Sequence, residues 1–134
     1  MANFYCTART NYFAVKNEKK FLAWVAQREI TAVRSQEQSS QFALFPGESD
    51  DGGAFPNYDC ETDDEIDFVA ELAGHLRKGS VAVIVEAGAE KLRYISAHAT
   101  AVAADGRRVD MDLNEIYTRA VETLGAKKLS RAEY

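Results

Sequence analysis

Lysine and arginine are missing from residues 35–76, a stretch that holds eleven aspartates and glutamates. Their absence argues against direct nucleic-acid binding by this third of the chain, because nucleic-acid affinity comes largely from cationic side chains. Cysteine is scarce: Cys6 and Cys60 are the only two, too few for a disulfide framework, and both read as free thiols. No apolar run approaches the roughly 18–20 residues a membrane span needs. The opening MANFYCTARTNYF has no basic-then-apolar order of a secretory signal, so a cytoplasmic protein is expected. There is no phosphate-binding loop, no GxSxG, no HExxH and no CxxC. Basic residues are not interleaved with aromatics along one face. Lys91, Arg93, Arg107 and Arg108 make at most a modest basic patch, and direct DNA or RNA binding is disfavoured.

What is present suits one ordinary globular domain over residues 1–134, with 46% hydrophobic and 28% charged residues. Charge is distributed unevenly. Residues 1–34 carry six basic and two acidic groups, and residues 77–134 carry ten and eight, so an acidic centre lies between two mildly basic flanks. Such asymmetry bears on partners rather than on fold.

TNYFAVK (10–16) is aromatic and β-branched and predicts a strand that starts as early as Phe4. Asn17 caps a following helix whose apolar stripe is Phe21, Trp24 and Val25, ending near Glu29. ITAVR (30–34) and QFALF (41–45) predict a hairpin, and residues 46–62, with both prolines and three of the eight glycines, predict a long surface loop. Thr62–Glu65 matches a capping box, opening a helix with the stripe Ile66, Val69, Leu72, Ala73, Leu76 and a C-terminal Gly79. Val81–Val85, a turn-like linker at Gly88, Leu92–Ala103, an Asp105-Gly106 two-residue turn and a run to Met111 predict an antiparallel meander. The stretch from Asp112 opens a last helix with Ile116, Tyr117, Ala120, Val121 and Leu124 on its apolar face. The expected fold is α+β, an antiparallel sheet of about five to six strands with three helices in the order β α β β α β β β α.

The strongest chemical candidate is the acidic set Glu48, Asp50, Asp51, Asp59, Glu61, Asp63, Asp64, Glu65, Asp67 and Glu71. Three readings compete for it. A calcium loop starting at Asp59 fails, because its sixth position is Asp64 where a glycine is needed and its twelfth is Ala70. Mimicry of a polyanion would let these carboxylates meet a basic nucleic-acid-binding surface on a partner protein. Helix capping and solubility explain Asp63 to Asp67 with no function at all. His75 and His98 are the only histidines and lack metal-site spacing. Cys60, in an acidic loop, is a poor nucleophile. No metal, cofactor or catalytic residue is expected. The small residues Ala97, Ala99, Ala101 and Ala103 suggest close packing on one face of a long strand, by a helix or by a second subunit.

TNYFAVK (10–16) and VAVIVEAGAEKLRYIS (81–96) are similar to segments of small acidic proteins carried by bacteriophages and integrated mobile elements. That resemblance implies a setting in which small non-enzymatic proteins neutralise host defence, as anti-CRISPR and anti-restriction proteins do. It carries no site residues. The expected function is therefore a non-enzymatic inhibitor of a host nucleic-acid-handling system, acting through an acidic, DNA-mimicking surface. The alternatives are a small-molecule or enzymatic site on the sheet near Tyr94 and His98, and a structural homodimer.

Overall fold

The computed structural model describes residues 4–47, 53–59, 62–90, 94–127, 129, 130 and 132. The chain is α+β, as its patterning predicts. Among the described residues it forms β1 (Phe4–Thr10), β2 (Phe13–Ala14), α1 (Glu18–Gln27), β3 (Thr31–Arg34), β4 (Gln41–Phe45), β5 (Tyr58–Asp59), β6 (Asp64–Glu65), α2 (Phe68–His75), β7 (Val81–Glu90), β8 (Tyr94–Ala103), β9 (Arg108–Asp112) and α3 (Glu115–Leu124). The strands exceed the expected five to six. They divide into an antiparallel four-stranded sheet β1-β7-β8-β9, an antiparallel three-stranded sheet β2-β4-β3 and a β5-β6 ribbon.

The predicted first strand is split at Asn11. Its side-chain Oδ1 accepts the Val83 N–H at 2.8 Å and its Nδ2 donates to the Val81 carbonyl at 3.2 Å. The Asn11 N–H still donates to the Val83 carbonyl at 3.1 Å, the side chain extends the ladder beside β7, and beyond Asn11 the main chain turns toward the second sheet. The Thr10 hydroxyl, buried at this corner, accepts the Leu44 N–H at 2.8 Å and joins the two sheets. Phe13 then pairs with Phe42.

α1 is capped as expected, with Asn17 Oδ1 accepting the Lys20 N–H. Its stripe Phe21, Trp24, Val25 is buried. Phe21, with no exposed surface, meets Phe13 edge-on at 5.9 Å and Phe42 at 5.2 Å. The hydrophobic core lies here, between α1, α2, the three-stranded sheet and one face of the larger sheet.

Four expectations are corrected. The capping box at Thr62 does not start α2: Asp64 and Glu65 pair with Asp59 and Tyr58, and Asp67 is the cap, accepting the Ala70 N–H at 3.1 Å. Ribbon pairing satisfies the backbone there, so the helix begins later and buries Phe68, Leu72 and Ala73. The helix also stops at His75, before Gly79, because Leu76 is extended and bridges Val15. Gly88 lies inside β7, not in a linker; β1 and β8 flank it at Cys6 and Ser96, and pairing on both sides outweighs its weak strand preference. The β8–β9 turn spans Ala104–Arg107, and only Gly106 there has positive φ, at 92°; Asp105 instead accepts the Arg107 N–H.

Candidate functional site: an acidic groove on the larger sheet

Residues two apart on a strand share a face. Register places Ala82, Val102 and Arg108 in one row, Ile84, Thr100 and Asp110 in the next, and Glu86, His98 and Asp112 in the third. The first two rows begin in the core. Ala82, Ile84, Thr100 and Val102 are buried. The third row leaves the core and turns polar. Opposite it stand the segment before β5 and the start of α2. A groove of about 640 Å³ results, with Phe55, Ile66 and Phe68 on one wall and Ile84 and Thr100 among the sheet residues facing them. Glu65, Asp67, Glu86 and Asp110 all line it, against Arg108 and His98. A second groove of about 600 Å³ shares His98 and Asp110 and adds Asp112 and Glu115.

The groove's charges are held by short networks. The Thr100 hydroxyl donates to Asp110 Oδ1 at 2.6 Å, and Arg108 adds bonds of 2.9 and 2.7 Å from Nε and its terminal nitrogen. Arg108 first, and then Thr100, lower the Asp110 carboxyl to about 2. Asp110 is therefore an acceptor at any ordinary pH and not an acid catalyst. Glu86 bridges two neighbours: the Cys6 thiol donates to Oε1 at 3.2 Å, and His98 Nε2 lies 3.1 Å from Oε2. Burial, and then the Glu86 bond and charge, push Cys6 up to about 11. It remains a thiol, which excludes it as a nucleophile at neutral pH. No group of three or more potential metal ligands occurs among the described residues. The groove can accept hydrogen bonds and attract cations.

The acids singled out from the sequence have different fates. Glu48, Asp50, Asp51 and Glu61, with Cys60, lie outside the described residues. Asp63, Asp64, Glu65 and Asp67 are exposed. Asp63 turns the β5–β6 ribbon at φ 59°. Glu71 and Asp59 are drawn inward. Arg28 grips Glu71 with two bonds of 2.9 Å and Asp59 with one of 3.2 Å, and Trp24 Nε1–H adds a 2.7 Å bond to Glu71. Burial raises the Glu71 carboxyl, but the bonds from Arg28 and Trp24 outweigh it and the net shift is downward. Both acids are thus already countered within the chain. His75 is structural: it stacks on Trp24 at 4.9 Å, and burial, then Lys16, lower its pKa. His98 is on the groove, while the side chain of Tyr94 lies outside the described part.

Sequence reasoning missed Glu86, Asp110 and Asp112. They lie in the flank that counts as mildly basic, and only strand register gathers them. The available signal was a break of the apolar alternation at Glu86 and at His98 within otherwise apolar strands.

No protein-family model matches the chain, and no curated protein or solved structure does. Among the described residues no helix is long and apolar enough to cross a membrane.

Proposed function

We propose that the protein is a non-enzymatic interaction protein that offers an acidic face to the basic, nucleic-acid-binding surface of a partner, in the manner of an anti-CRISPR or anti-restriction inhibitor. The observation that carries this reading is the convergence of two acidic sources. The segment without Lys or Arg supplies exposed Asp63, Asp64, Glu65 and Asp67, and the groove beside it adds Glu86. Carboxylates gathered in a concave surface focus negative potential and steer a cationic partner. Asp59, Glu71 and Asp110 drop out of the contact set because Arg28 and Arg108 occupy them.

The test is capture from bacterial lysates with active CRISPR and restriction systems, washed at low and high salt and challenged with duplex DNA. A nucleic-acid-handling complex that DNA displaces and salt weakens supports the reading. Replacing Asp50, Asp51, Asp63 and Asp64 together by Asn abolishes that capture and leaves the fold intact. Full capture by this variant refutes the reading.

A second reading rests on the Cys6–Glu86–His98 chain at the groove: a small cationic or hydrogen-bond-donating ligand held there. It predicts that His98→Ala removes ligand binding, and ligand binding unchanged in that variant counts against it.

A further inference from the structure

The four-stranded sheet has one face on the core and one face bare. Val81, Val85, Ile95, Val109 and Met111 all belong to the bare face by register, and all are exposed, Val109 at 72%. A soluble monomer rarely shows a contiguous apolar patch larger than a few hundred Å². The same chain carries a second apolar surface without a partner. In α3, Ile116, Val121 and Leu124 follow helical spacing at 61%, 51% and 79% exposure, and the helix buries no residue at all. Amphipathic helices owe most of their stability to packing that face.

The two surfaces fit each other. Across the bare face the pairing runs Val83–Ala101–Val109 and Val85–Ala99–Met111. Small residues on the middle strand thus lie between larger ones on β7 and β9. The flanking strands are two spacings apart, about 9.6 Å, close to the ~10 Å width of a helix. The face is also long enough. β7 and β8 run ten residues each, about 33 Å, and the apolar part of the face lies over β7, β8 and β9, because β1 adds exposed Thr7 and Arg9 to it. A ten-residue helix, about 15 Å long and ~10 Å wide, covers about 150 Å² of that face, so each chain contributes one such footprint and one helix stripe, on the order of 300 Å². That is below the ~800 Å² per partner of an ordinary stable interface, so the dimer is a weak one.

We propose that the protein is a twofold homodimer in which α3 of each chain lies along the bare sheet face of the other. The contact is reciprocal, so it closes at two chains and buries both apolar surfaces. It leaves the acidic groove, on the opposite sheet face, open on each chain.

The test is the solution mass of the full chain by light scattering over roughly 1–100 µM, a range spanning ordinary dimer affinities. The expected mass rises with concentration toward twice 14.9 kDa. Val109→Asp and Val121→Asp each give a single-chain mass. Their equimolar mixture regains a dimer, because the intact helix of the first variant meets the intact sheet of the second. That dimer keeps one contact of two and binds at least about tenfold more weakly than the unmodified protein. Val109→Thr and Val121→Thr, isosteric and milder, weaken the dimer in the same direction if the Asp variants do not fold. A single-chain mass for the unmodified protein at the highest concentration overturns the proposal, as does a dimer indifferent to both positions. A dimer retained by one variant alone also overturns it, since sheet-on-sheet pairing survives Val121→Asp and helix-on-helix pairing survives Val109→Asp.

Discussion

Arg28, just past the end of α1, ties that helix to α2 and to the β5–β6 ribbon. Arg28→Met keeps most of the aliphatic stem and removes the guanidinium. Three bonds to Glu71 and Asp59 are lost, and two carboxylates are left facing each other beside Trp24. The side chains of Arg28 and Glu71 retain 15% and 29% of their exposure, so the pair is neither wet nor dry. Exposed pairs contribute about 0–1 kcal/mol, and breaking a fully buried pair costs about 3–5 kcal/mol. The expected loss is about 2 kcal/mol, or about 6–8 °C in Tm for a chain of this length. Urea titration and thermal melts at neutral pH measure it. A double-mutant cycle with Glu71→Gln should return a coupling of at least ~1 kcal/mol, because the two groups bond directly. Partial burial means that much of this coupling should persist at about 1 M salt. The folded-state carboxyl of Glu71 is depressed, so its contribution is present above the unfolded value of about 4.3 and is lost as pH falls through the folded value. The gap between the unmodified protein and Arg28→Met should therefore narrow in acid. A loss under about 0.5 kcal/mol, or no coupling to Glu71, refutes the view that this pair joins the two helices.

Other expectations are narrower. Phe21→Ala removes a fully buried ring between Phe13, Trp24 and Phe42 and should cost about 3–5 kcal/mol in urea unfolding. Gly47→Ala should destabilise by about 1–3 kcal/mol, since an added Cβ would sit 2.6 Å from the Glu29 carbonyl oxygen, backbone that must shift to admit it. His75 has a folded pKa below its unfolded value of about 6.5, so its contribution is complete above that pH and is lost on acidification toward the folded value; His75→Phe should flatten the stability profile as pH falls below about 6.5. Carboxylate titration by NMR should find Asp110 near 2 in the unmodified protein, higher in Thr100→Val and higher still in Arg108→Gln, following the order of its two restraining bonds.

Periodicity made several elements legible. The stripe Phe21, Trp24, Val25 defined α1 because burial of one helical face leaves a 3.6-residue signature. The hairpin β3–β4 and the meander β7–β8–β9 were visible because β-branched runs alternate with turn residues. The boundary of α2 was not legible. Thr62–Glu65 satisfies the local rule for a cap, yet ribbon pairing back to Tyr58 and Asp59 claims Asp64 and Glu65, and Asp67 caps instead. The break at Asn11 was equally hidden, since its effect depends on β7 lying beside it, some seventy residues along the chain.

The candidate site divides in the same way. Composition alone determined that the centre of the chain is acidic and without lysine or arginine, that two cysteines make no disulfide framework, and that α3 carries an apolar stripe. These are properties of residue type and short spacing, which no fold can alter. Only tertiary structure decided which acids remain available. Arg28 withdraws Asp59 and Glu71 and Arg108 withdraws Asp110, while strand register brings Glu86 to the same groove as Glu65 and Asp67. It also decided that the stripe of α3 and one face of the sheet find no cover among the described residues. The physical reason is that charge neutralisation and burial are set by which atoms come within a few ångströms of each other. Here the Arg28–Asp59 and Cys6–Glu86 contacts join residues 31 and 80 positions apart.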